Sequence, residues 1–140
     1  MPNIEHKESH QNDYFDWLSP AEQNLVGGEI GVPDARFITA LNELQEDGQI
    51  SSWEKTKNWS IEDVVGGIDW WVRIKDHRVP FGTTGERKNA QKRKAKHSNI
   101  PNIYLRTHEH EHGREGIKSV ERVKQEILDK TKLYLERRRS

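Results

Sequence analysis

The sequence predicts an α/β domain with a mixed sheet between helices. Three observations predict it. Residues 68–75 (Ile-Asp-Trp-Trp-Val-Arg-Ile-Lys) alternate with period two, as a half-buried strand does. Phe37, Ile38, Leu41 and Leu44 recur at helical spacing, as do Ile117, Val120, Val123, Ile127, Leu128, Thr131 and Leu135. The order along the chain is helix, three strands, helix, strand, helix. The first three strands are close enough to form a meander. The fourth follows a helical crossover, which allows it to run parallel to one of them.

Taken in order, residues 1–18 read as a flexible N-terminal segment and 19–140 as one domain. His6 and His10 lie in the polar stretch 1–13, whereas Tyr14 to Leu18 is an aromatic cluster suited to docking. Ser19-Pro20-Ala21-Glu22 has the pattern of a helix start, with Ser19 as cap, Pro20 at the first helical position and Glu22 at the third. Gly27-Gly28 ends that helix. A second helix runs from Pro33 to about Gln45, with Asp34 in its first turn and Gly48 as its stop.

Ile50 to Lys57 is the first strand, with Trp53 inward, and a loop follows over 58–65. In the strand from Gly67 to Lys75, Ile68, Trp70, Val72 and Ile74 share the core face. Asp69, Trp71, Arg73 and Lys75 share the other. Asp76-His77-Arg78 is expected to turn into a third strand over Val79 to Thr84. Pro80 places an edge or an interruption in that strand. Residues 86–97 form a helix, 99–106 a short fourth strand, 108–116 a polar loop, and the final helix begins after Gly116.

Composition bounds the class. Hydrophobic residues make up 31% of the 140 and charged residues 33%, so the core is small, and five Trp, three Tyr and three Phe supply its bulk. There is no cysteine, which excludes disulfides and cysteine zinc sites and fits a reducing compartment. No run reaches the roughly 18 apolar residues of a membrane span, and residues 1–13 lack a signal-peptide pattern. The expectation is a soluble cytoplasmic protein with no membrane partner. The net charge of zero hides an asymmetry. Residues 1–70 hold 14 acids and 4 Lys or Arg, a net −10, and residues 71–140 hold 9 acids and 19 Lys or Arg, a net +10. Either a basic surface meets an anionic partner, or the two halves neutralise each other in the fold.

The stretch Gly67-Ile68-Asp69-Trp70-Trp71-Val72 resembles the first acidic motif of the restriction-endonuclease-like, or PD-(D/E)XK, nuclease superfamily in its G-I-D-F-W-V form. Val79-Pro80-Phe81 and Ile100-Pro101-Asn102-Ile103 resemble its later strands. The resemblance covers residues 33–107 and implies an αβββαβ core. It implies Asp69 as the metal-binding aspartate, Asp34 as a helical acid aimed at the site, Mg²⁺ as cofactor, and DNA or RNA as partner. The chain departs from the family at the second motif: where (D/E)-x-K belongs, it reads Gly82-Thr83-Thr84. Glu86-Arg87-Lys88 spells E-x-K just beyond, so Glu86 and Lys88 are candidates for a migrated site. Lys75 shares a face with Asp69 but lies about 20 Å along an extended strand, too far to serve the same metal.

Two functions stay open on this reading. One is a Mg²⁺-dependent phosphodiesterase with an atypical site. The other is a non-catalytic nucleic-acid-binding or assembly domain on the same fold. Asp69 also reads as a buried acid paired with Arg73 or capping a turn, and Asp34 as a helix-start acid. Arg87, Lys88, Lys92, Arg93, Lys94 and Lys96 face either phosphates or solvent, and the absence of interleaved aromatics favours backbone contact over base stacking. His108, His110 and His112 alternate with acids, a pattern that can chelate Zn²⁺ or Ni²⁺ but matches no hydrolase motif and reads first as a solvated loop.

Overall fold

The computed structural model describes residues 15–28, 30–57, 68–84, 100–105 and 116–139. The helix expected over 86–97, the histidine cluster from His108 and the segment 1–13 lie outside the described residues. A 3-10 turn over Phe15–Trp17 leads into α1 (Pro20–Leu25) and α2 (Val32–Glu46). The sheet is built from β1 (Ser52–Lys55), β2 (Trp70–Ile74), β3 (His77–Thr84) and β4 (Asn102–Tyr104), and α3 (Val120–Arg139) closes the chain.

Local signals set the helix ends. Ser19 Oγ accepts from the Glu22 N–H, and the Glu22 carboxylate accepts from the Ser19 N–H, so two open donors at the start of α1 are met. α2 ends in a Schellman motif: Gly48 N–H donates to Gln45 O and Gln49 N–H to Leu44 O, with Gly48 at φ 77°. A side chain at that φ is strained, so glycine suits the position.

The sheet order is β1-β2-β3-β4. The first three strands form an antiparallel meander and β4 pairs parallel to β3. This is the mixed sheet with a crossover that the sequence predicts. The hairpin differs in detail. It turns at Lys75-Asp76, and His77 and Arg78 already belong to β3. Lys75 sits at φ 55° in the turn rather than at the end of the strand. Pro80 is accommodated because β4 pairs only with Gly82–Thr84. Phe81 O accepts from the Asp69 N–H just ahead of β2 and Gly82 N–H donates to Pro101 O, so the missing N–H of Pro80 points to the side where β4 has not begun.

Both long helices pack on one face of the sheet. Phe37, Leu41 and Leu44 from α2, Trp70, Val72, Val79 and Phe81 from the hairpin, Ile103 and Leu105 around β4, and Val123 and Ile127 from α3 are all fully buried. Each such side chain contributes about 1.5–3 kcal/mol by leaving water. Phe37 meets the rings of Trp70 and Phe81 at centroid distances of 5.1 and 6.2 Å. Ile117 precedes α3 instead of opening its seam, and it joins Leu18 and Ala35 in a smaller cluster under α1. That corner is pinned by Arg36, whose Nε and Nη2 reach Glu22 at 2.6 and 3.1 Å while Nη1 and Nη2 donate to the carbonyls of Lys118 and Trp17. No helix among the described residues is long and apolar enough to cross a membrane.

Candidate functional site

Asp69 stands just before β2, and its setting breaks the strict alternation expected of it. Trp70 is the registered partner of Phe81, yet the Asp69 N–H also donates to Phe81 O at 2.8 Å. Two residues on one strand's side thus oppose one of the other strand, the arrangement of a β-bulge, which re-aims the side chains beside it. The Asp69 carboxylate accepts from the Thr83 N–H at 2.9 Å, where the ladder would otherwise offer a backbone carbonyl. Thr56 fixes the Asp69 backbone from the other side. Its N–H donates to Asp69 O at 3.0 Å, and its hydroxyl contacts the carbonyls of Ile68 and Asp69 at 2.7 and 3.1 Å.

Asp34 arrives from α2. It occupies the third helical position, where its carboxylate accepts from the Gly31 N–H at the cap. The same carboxylate accepts from the Thr83 hydroxyl at 3.3 Å. Thr83 Oγ1 in turn accepts from the Trp70 indole N–H at 3.0 Å. One threonine therefore gathers both acids, Asp69 through its backbone and Asp34 through its hydroxyl. Thr83 lies within the Gly82-Thr83-Thr84 stretch that replaces the family's second motif.

The electrostatics bear out the convergence. Burial pushes the Asp34 carboxyl above the ordinary carboxylate value of 3.8; the Lys55 ammonium opposes that rise, the Asp69 charge adds to it, and the Gly31 and Thr83 bonds offset part of it. Lys55 ends β1 directly opposite Trp70 in the register, with its Nζ 5.3 Å from the Trp70 ring centroid. The assembled group is two carboxylates, a hydroxyl and an ammonium at the open end of the β2–β3 hairpin.

Of the residues singled out in the sequence, Asp34 and Asp69 are brought together. Glu86, Arg87, Lys88, Lys92, Arg93, Lys94 and Lys96, with His108, His110 and His112, lie outside the described residues. Thr83, Thr56 and Lys55 carry no motif of their own. Thr83 looked like a loss, and Lys55 becomes visible only through the β1–β2 register. Mg²⁺ is commonly held by one or two carboxylates, with waters and substrate phosphates completing six oxygens. Asp34 and Asp69 fit that requirement as hard oxygen donors. No group of three or more His, Asp or Glu suited to a metal occurs among the described residues, so an all-protein cage is not formed there. Comparison with family models, curated proteins and solved structures finds no match.

Proposed function

We propose that the chain is a nuclease-like domain on a restriction-endonuclease-like αβββαβ core, which contacts DNA or RNA and holds Mg²⁺ between Asp34 and Asp69. The observation that carries this reading is the meeting of two acids, 35 positions apart in sequence, on Thr83. A lone buried acid is common. Two acids converging from a helix start and a bulged strand are rarer: burial raises the Asp34 carboxyl, the Lys55 ammonium lowers it and the Asp69 charge raises it, a setting in which oxygen donors of one sign share a site. When bound, Mg²⁺ would neutralise phosphate charge and make a coordinated water more acidic. Thr83 holds both carboxylates in register, Thr56 fixes the backbone of Asp69, and Lys55 places a cation where a phosphodiester would need one.

A second reading has its own observation. Each acid also does structural work, Asp69 on the Thr83 N–H and Asp34 on the Gly31 N–H, and no acid or lysine stands at 82–84. A non-catalytic nucleic-acid-binding or assembly domain would keep both bonds without hydrolysing anything. The test incubates plasmid and single-stranded substrates with the protein and Mg²⁺ or Mn²⁺, beside Asp69→Asn and Asp69→Ala. The asparagine retains an acceptor for Thr83 and removes the charge. Cleavage lost in both variants supports the nuclease. Salt-sensitive binding without cleavage supports the second reading, and no binding at 50 mM salt contradicts both nucleic-acid readings.

A further inference from the structure

The face of the sheet turned away from the helices carries a second constellation. The register puts Glu54 opposite Trp71, Ser52 opposite Arg73, and Arg73 opposite Arg78. Period two therefore places Ser52, Glu54, Trp71, Arg73 and Arg78 on one face, with Trp70, Val72 and Val79 on the core side. These outward residues line a shallow groove of about 130 Å³. The Arg78 guanidinium lies 4.2 Å from the Trp71 ring centroid and reaches Glu54 at 3.4 Å. Like charges directly opposite in an antiparallel pair are unfavourable, yet Arg73 faces Arg78, and among the described residues Glu54 is the only acid of the groove. Arg73 is exposed and makes no ion pair among the described residues.

We infer that this groove binds one nucleotide unit of single-stranded nucleic acid, with its base taking the place of the Arg78 guanidinium on Trp71 and its phosphate on Arg73 and the displaced Arg78. Charge complementarity argues for an anion, since two guanidiniums stand against one carboxylate. The half-buried indole argues for a planar ring beside that anion. Arg and Trp together are the pairing that single-strand binders use, because every base offers a π-face while the guanidinium meets the phosphate. The groove is well below the 300–1,000 Å³ of a drug-sized ligand site and suits a single ring on a running strand. An acidic peptide would use the arginines and leave the indole unused. A duplex would meet the arginines without exposing a base to Trp71. The inference deepens the nuclease reading by naming single-stranded substrate, and it rests on that reading only for the class of ligand.

The test is fluorescence anisotropy with a labelled mixed-sequence deoxy 12-mer and its ribo counterpart, in EDTA so that no cleavage intervenes. Wild type is compared with Arg73→Glu, Trp71→Phe and Trp71→Ala, each checked for an unchanged cooperative melt. Arg73→Glu is expected to weaken binding at least tenfold. Trp71→Ala is expected to do the same and Trp71→Phe to retain most of the affinity, the order that stacking requires. The matching duplex and an acidic peptide of equal charge are expected to bind at least tenfold more weakly. Equal affinity for any competitor, or Arg73→Glu binding like wild type, overturns the inference. Should Trp71→Ala not fold, Trp71→Phe against Trp71→Leu decides it, because equal binding by the two excludes stacking. Cleavage that persists while Arg73→Glu and Trp71→Ala bind like wild type sinks the groove alone. Trp71-dependent binding without any cleavage sinks the nuclease reading alone.

Discussion

Arg36→Met breaks the buried ion pair that ties α1 to α2. The side chains of Arg36 and Glu22 are 9% and 2% exposed, so water cannot replace the guanidinium. The substitution leaves a buried carboxylate without its counter-charge and deprives the Trp17 and Lys118 carbonyls of a donor. Removing one partner of such a pair costs about 3–5 kcal/mol, which for a chain of this size lowers Tm by roughly 10 °C or more. The double variant Glu22→Gln/Arg36→Met should be more stable than Arg36→Met alone, because glutamine keeps the Ser19 cap and carries no charge. The pH dependence separates this account from simple loss of packing. In the wild type, burial would raise the Glu22 carboxyl, but the Arg36 hydrogen bonds, the Ser19 N–H and the Arg36 charge together hold it below its ordinary 4.5. That stability is present above 4.5 and is lost as pH falls through the depressed value. With Arg36 gone, burial remains and the carboxyl rises, so the variant should gain stability as pH falls from 7 to 5. Urea melts at pH 5 and 7 read both signs. A variant within about 1 kcal/mol of wild type, or one whose stability falls between pH 7 and 5, refutes the reasoning.

Other outcomes follow from the site and its supports. Asp34→Asn should raise Tm at pH 7.5 without divalent cation: the Asp34 carboxyl is raised, so the folded protein loses stability as pH climbs from 3.8 through that raised value, and asparagine removes the cost. The gain should shrink by pH 4 in thermal melts. Thr56→Val, which loses a buried hydroxyl bonded to the Ile68 and Asp69 carbonyls, should cost about 1–2 kcal/mol in urea melts and reduce any Mg²⁺-dependent cleavage more than it reduces binding. Gly48→Ala should cost about 1 kcal/mol from its positive φ alone, because no atom lies within 4 Å of the added methyl.

The parts of the fold legible in the sequence were those set by neighbours in the chain. The Ser19–Glu22 box, the stop at Gly48 and the alternation from Trp70 to Ile74 need only a few residues each, and all three stand in the structure. The parallel fourth strand is the arrangement that a helical crossover allows. What the sequence withheld depends on register. Strict alternation put Asp69 on the face opposite Trp70, but the two-on-one pairing with Phe81 turns its carboxylate to Thr83. Lys55 enters only because β1 pairs with β2 at Trp70, and the Arg36–Glu22 pair joins residues 14 positions apart on different helices. The pairing of Asp34 with Asp69 was suggested by family resemblance, since no spacing rule brings residues 34 and 69 together.

The central claim is that Asp34 and Asp69 form a divalent-cation site around Thr83. A substoichiometric Mn²⁺ titration of the ¹⁵N-labelled protein, read as paramagnetic broadening of backbone amides, tests it most directly. The account predicts that the Thr83 and Asp69 amides and the first turn of α2 broaden first, and that Asp69→Asn abolishes the effect. Broadening confined to surface acids such as Glu43, Asp47 and Glu121 around Lys124, with Thr83 unchanged, would contradict it.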